Sequence, residues 1–162
     1  MKKLAIIGSV TCVIGAIIFI SAFASIGWDI TNISTRPEYE ERYFSTENTN
    51  QTITLKDKDK PVSVGLSDDN QIHIIYYENE KERYQIEDNT NLTIQNQYSY
   101  QWYESIFNID FQSPSTTILL PSDFNGELYI ETSNAQVTIE NIAASKLSAS
   151  TSNGYMNVNR LT

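Results

Sequence analysis

The chain is short of the residues that staple small exported domains and build most active sites. Its 162 residues include one cysteine, one histidine, four prolines and six glycines. A lone cysteine forms no intrachain disulfide, so the fold must be held by its own core and hydrogen-bond ladders. The single histidine, His73, excludes multi-histidine metal sites, and any Ser-His-Asp triad would rest on it alone. On strand alternation it faces away from Ile72 and Ile74, at a solvated position. No H-E-x-x-H, Gly-rich phosphate loop or nucleophile elbow occurs. Asp57/Asp59 and Asp68/Asp69 lack the D-x-[DN]-x-[DN]-G frame of a calcium loop. Pairs such as Asp68-Asp69 and Glu87-Asp88 sit in turn-like stretches that favour Asp for backbone reasons, which is no signal of a glycosidase pair. No catalytic, cofactor-binding or metal-binding residue is singled out, and no cofactor is implied. Basic residues are scarce, 11 against 20 acidic, for a formal charge of −9. That balance argues against nucleic acid and anionic lipid surfaces as partners, since both need a basic face.

Charge is also missing locally. From Leu4 to Trp28 there is no charged residue, and at ~1.5 Å per residue a helix of that length crosses a ~30 Å hydrocarbon core. Lys2 and Lys3 precede the run and Asp29 follows it. The positive-inside rule then keeps residues 1–3 cytoplasmic and places residues 29–162 outside, a single-pass plasma-membrane topology. Trp28 stands where an interfacial aromatic is expected. A cleaved signal peptide is the rival, with Ala22-Phe23-Ala24 as its site; the apolar stretch to Ile20 exceeds the usual h-region. Cys12 follows Gly8-Ser9-Val10-Thr11, which departs from a lipoprotein box. Gly8, Cys12 and Ala16 make a small-residue stripe, more often incidental than a dimer seam.

Residues 29–50 read as a polar juxtamembrane linker, with room for a short strand near Tyr43-Phe44. From Gln51 the apolar period becomes two: Ile53/Leu55, Val62/Val64, Ile72/Ile74, Tyr84/Ile86, Leu92/Ile94. Turn-type clusters separate these runs, which predicts an all-β domain over 51–162. Leu128–Ile142 aligns without gaps on Leu147–Leu161, nineteen residues later, and Thr132-Ser133-Asn134-Ala135 falls on Thr151-Ser152-Asn153-Gly154. Two copies with a shared turn predict stacked coils of a β-solenoid, in which each coil needs a neighbour to bury its apolar row. Asn134, Asn153 and Gly154 are the structural corner residues, expected to supply a left-handed or tight conformation. The second copy ends the sequence, and the open coil edge suggests oligomers or a covering partner.

Aromatic residues cluster once. Tyr98, Tyr100 and Trp102 alternate, with Tyr103 beside them, and form a candidate contact surface for a glycan or an envelope protein if exposed. If buried, they are the bulky side of the core.

The anchor, the Ile72–Tyr84 stretch I-H-I-I-Y-Y-E-N-E-K-E-R-Y, the Leu120–Ile130 stretch L-P-S-D-F-N-G-E-L-Y-I and the T-S-N-[AG] copies together resemble the bacterial putative-adhesin family, a β-strand-repeat domain of unknown function from Gram-positive envelopes. The resemblance implies a right-handed β-helix and no established catalytic residue. It also implies a non-enzymatic, membrane-anchored envelope protein acting in surface interaction, adhesion or sensing. A carbohydrate-binding or carbohydrate-cleaving β-helix and a self-assembling structural module are the alternatives.

Overall fold

The computed structural model describes residues 2–25, 27–28, 38–49, 51–99 and 114–161. Two units are distinguished, one containing the N-terminal helix and one containing the strands.

Helix α1 covers Lys2–Ser25. Its apolar part, Ile6–Ser25, is 20 residues long with a mean hydropathy of 2.4, long and apolar enough to cross a membrane. The exit is a Schellman cap: Gly27 N–H donates to the Ala24 carbonyl and Trp28 N–H to the Phe23 carbonyl. Gly27 takes the left-handed conformation (φ 70°) that this motif requires. Trp28 folds back edge-on against Phe23, with ring centroids 5.4 Å apart, the apolar contact that accompanies such caps.

The second unit is all β. Its strands are β1 (Glu40–Thr46), β2 (Ile53–Lys56), β3 (Val62–Leu66), β4 (Ile72–Glu78), β5 (Glu82–Asp88), β6 (Leu92–Tyr98), β7 (Thr116–Leu120), β8 (Glu127–Thr132), β9 (Val137–Ile142), β10 (Lys146–Thr151) and β11 (Met156–Leu161). They form one sheet in the order β1-β4-β7-β3-β9-β11 and another in the order β10-β8-β2-β6-β5. The pairs β2–β3, β6–β7, β8–β9 and β10–β11 each give one strand to each sheet, and their like members pair in parallel. This is a solenoid-like stack of four coils. Residues nineteen apart are direct partners in the last two coils, Leu147 with Leu128 and Val158 with Ile139.

One further coil, β2–β3, carries the same internal spacing without the T-S-N signature. Ile53 pairs with Leu128 and Val62 with Val137, so Asp57–Pro61 replaces the T-S-N-[AG] corner there. In the β6–β7 coil the corner is replaced by the long connection between Tyr98 and Thr116. Chain order is not stacking order. The first coil, β2–β3, lies between β6–β7 and β8–β9 in both sheets.

Alternation decides the packing. Ile53, Leu55, Val62, Val64, Leu92, Ile94, Ile118, Leu120, Leu128, Ile130, Val137 and Ile139 point inward and are at most 2% exposed. Each row continues from coil to coil, which is how a coil too thin to bury its own apolar side chains acquires a core. At one end, β4 and β5 add antiparallel to β7 and β6, and Ile72 and Ile74 from β4 join the core. The stretch read from sequence as linker supplies β1, which pairs antiparallel with β4 from Glu40↔Glu78 to Thr46↔Ile72. Antiparallel strands thus close this end. In the β10–β11 coil Tyr155, Met156 and Val158 are 66%, 41% and 39% exposed.

Of the left-handed or tight corner expected, the left-handed form does not occur. Asn134, Asn153 and Gly154 do not have positive φ; among the described residues only Gly27, Trp28 and Asn141 do. Gly154 is required by proximity, because a Cβ there would stand 1.9 Å from the Ala135 carbonyl oxygen. The left-handed residue is Asn141 (φ 54°), a conformation that asparagine tolerates better than most side chains. It lies near the end of β9, where Glu140 and Asn141 are both exposed before Ile142 turns inward.

Candidate functional site

Three polar constellations stand out on this scaffold. The first runs along the coil corners. Asn153 Nδ2 donates to Asn134 Oδ1 at 2.8 Å, and Asn134 Nδ2 donates to Asp59 Oδ1 at 2.6 Å. The T-S-N asparagines therefore form a ladder that ends on the corner of the first coil. Beneath it Asp57 is buried. Its carboxylate accepts from the Tyr84 hydroxyl, from Thr116 Oγ1 at 3.3 Å, from Asn96 Nδ2 at 3.3 Å and from the Tyr98 hydroxyl at 3.4 Å. Burial, reinforced by the Asp57 charge, pushes the Tyr84 and Tyr98 phenols well above their ordinary range, so both remain donors at any physiological pH.

Beside this cluster, Lys60 and Glu82 form an ion pair at 3.3 Å, with side chains 1% and 0% exposed. Lys60 also donates to the Tyr77 carbonyl and sits 4.5 Å over the Tyr39 ring and 5.1 Å over the Tyr84 ring. The Tyr39 hydroxyl donates to Glu82 Oε2 at 3.0 Å. Paired burial of this kind is the usual condition for a charge inside a protein. Alternation alone reads Asp57–Pro61 as a solvated turn, and nothing local in the sequence marks Asp57 or Lys60 as buried.

Of the aromatic candidates, Tyr98 closes β6, is half-buried, and is drawn into the Asp57 cluster, with Lys58 Nζ 5.3 Å over its ring. Tyr100, Trp102 and Tyr103 lie outside the described residues.

The second constellation surrounds His73. It faces outward from β4, as alternation predicts, but it is not solvated: its side chain is 12% exposed. Tyr43 on β1 stacks on the imidazole at 5.5 Å between centroids and hydrogen-bonds its Nδ1. Asp69 Oδ1 meets Nε2 at 2.7 Å. Gln71 N–H donates to the same carboxylate and, with Ser67 and then His73, holds the Asp69 pKa below its ordinary value. This clasp pins β1 to the β4 level.

The third is a shallow groove of about 410 Å³ on the outer face of the β10-β8-β2-β6-β5 sheet, lined by Thr52, Thr54, Lys56, Tyr129, Glu131, Ser148 and Ser150 with the core residues Leu55 and Ile130 beneath. Register explains it. Thr54 pairs with Tyr129 and Tyr129 with Ser148; two residues along, Lys56 pairs with Glu131 and Glu131 with Ser150. The groove therefore runs across the strands, between two rows of outward side chains from three coils. The Tyr129 hydroxyl donates to Glu127 Oε2 at 2.6 Å, and Lys146 Nζ lies 5.0 Å over the ring. Among the described residues no cluster of three or more His, Cys, Asp or Glu could hold a metal ion.

A family model described as Toastrack DUF4097 matches residues 50–162. Among solved structures, a "putative cell adhesion protein" from Clostridium sporogenes is similar at 13% identity and a TM-score of 0.44, over 72% of this chain and 57% of that one. The chain thus spans little more than half the length of that structure. No curated protein matches.

Proposed function

Given that the chain belongs to the Toastrack DUF4097 family, we propose that it is a non-catalytic, single-pass envelope protein that displays its domain outside the plasma membrane for surface interaction. The observation that carries this reading is the pairing, in one chain, of that domain with a 20-residue apolar helix free of charge. Two lysines open the helix ahead of its apolar part and Asp29 follows its cap, which favours an inside amino terminus. The helix contacts lipid, and the right-handed winding of the coils belongs to the same proposal. Envelope protein or glycan is the partner class, and the acidic balance of the chain disfavours contact with anionic lipid.

Protease treatment of intact spheroplasts tests the topology. The domain should be digested from outside, while the protein stays in the membrane pellet after alkaline carbonate extraction. Protection of the domain in intact cells would overturn the reading. Release into the carbonate supernatant, with a new amino terminus near Ser25, would instead identify a cleaved signal peptide.

A further inference from the structure

We propose that the groove across β2, β8 and β10 binds a neutral polysaccharide chain lying along the stack of coils. This rests on the surface-interaction reading and names its ligand class.

Direction comes first. The two bounding rows, Thr54–Tyr129–Ser148 and Lys56–Glu131–Ser150, are set by strand register, so the channel between them follows the coil axis. A polymer can lie there across several coils. An added peptide strand would find no backbone partners along β2 and β8, which are paired in parallel ladders on both sides; it could pair only along the outer edge of β10, beyond Ser148 and Ser150.

Chemistry selects the polymer. Thr52, Thr54, Ser148 and Ser150 line the groove, and each hydroxyl both donates and accepts, matching the mixed donors and acceptors of a sugar ring. The charged lining residues are one lysine and one glutamate, Lys56 and Glu131, so their formal charges cancel and the groove selects neither polyanion nor polycation. Leu55 and Ile130, the aliphatic residues of the lining, are 0% and 2% exposed and offer little purchase to an acyl chain or an apolar helix. Tyr129 is the wall. Held by Glu127 and covered on one side by Lys146, it has a fixed orientation and presents a rigid aromatic surface at low entropic cost.

The test is a titration of the full chain in detergent micelles with cellohexaose, chitohexaose and maltohexaose, followed by backbone amide shifts. Polygalacturonate and a Ser/Thr-rich peptide serve as contrasts. At least one neutral hexaose should bind saturably, with shifts confined to residues 52–56, 129–131 and 148–150. Tyr129→Ala should weaken binding at least about tenfold. Ser148→Arg, which fills the groove from an exposed position on the β10 edge, should do the same with an unchanged melting temperature. Thr138→Arg on the other sheet should leave affinity within about twofold. Absence of saturable binding across the neutral panel, shifts elsewhere, retained affinity in Ser148→Arg, or tighter binding of polygalacturonate or the peptide at these residues would overturn the assignment. Failure of this titration with the domain still digested from outside sinks the groove alone. Success with the domain protected in intact cells sinks the display reading and leaves the groove standing.

Discussion

Lys60 and Glu82 offer a test of how the capped end of the stack is held. At 3.3 Å and an effective dielectric of about 20, two unit charges attract by roughly 5 kcal/mol. Burying each ion costs several kcal/mol, so the intact pair contributes little net stability. Removing one partner is another matter. Lys60→Met strands the Glu82 carboxylate in a site where it is 0% exposed, and the expected cost is about 3–5 kcal/mol. With a urea dependence of about 1–3 kcal/mol/M, the midpoint falls by roughly 2 M. The double variant Lys60→Met/Glu82→Leu should recover most of that loss, because no uncompensated charge remains. Tyr39→Phe, which deletes the hydroxyl donor to Glu82, should cost roughly 1.5–3 kcal/mol. The assay is equilibrium urea unfolding of the full chain in micelles, monitored by the far-ultraviolet β signal. A cost below about 1 kcal/mol for Lys60→Met, or a double variant no more stable than the single, would refute the reasoning, because either result requires a solvated pair.

Gly154→Ala should destabilise the last coil by about 1–3 kcal/mol, because its Cβ would meet the Ala135 carbonyl oxygen at 1.9 Å; Ala135→Gly, one coil earlier, should cost about 1 kcal/mol or less in a thermal melt. Asp69 has its pKa lowered from 3.8, first by the Gln71 N–H and then by the Ser67 hydroxyl. A carboxylate lowered on folding contributes stability above its unfolded pKa, and that contribution disappears as pH falls through the folded value. Asp69→Asn should therefore flatten the pH dependence of stability below about pH 4, and an unchanged acid limb would count against the clasp. Hydrogen exchange should be slowest in β2, β3, β8 and β9, which have a coil on both sides, and fastest in β10 and β11; equal protection along the stack would contradict the burial gradient.

The sequence displays those features of the fold that are written locally. Ile53/Leu55, Val62/Val64 and Leu92/Ile94 alternate because one face is buried, and a period of two survives any tertiary arrangement. The uncharged run before Asp29 is equally local. The nineteen-residue copies are readable because adjacent coils there share corner chemistry, Asn134 stacking on Asn153. The β2–β3 coil escapes the same comparison because Asp57–Pro61 turns its corner with other residues, although Asp59 caps the same asparagine ladder. Stacking order is hidden for a stronger reason. Ile53 pairs with Leu92 on one side and Leu128 on the other, and no local pattern tells a parallel strand which distant strand will flank it.

The polar residues divide in the same way into those that could be foreseen and those that could not. His73 is placed correctly on the outward face by alternation, yet its burial depends on Tyr43, thirty residues earlier on a strand that pairs antiparallel with β4. Lys60 and Glu82 look like turn residues because lysine and glutamate usually are; their burial follows from Tyr39 and Tyr84 closing over them. The groove is the extreme case. Thr54, Tyr129 and Ser148 come from three coils, none is unusual in its own strand, and only register aligns them. In a solenoid, a surface that crosses coils is composed from residues at the same level of successive turns. Outward positions that look merely solvated along one strand therefore have to be read across the stack, where one threonine, one tyrosine and one serine become a row.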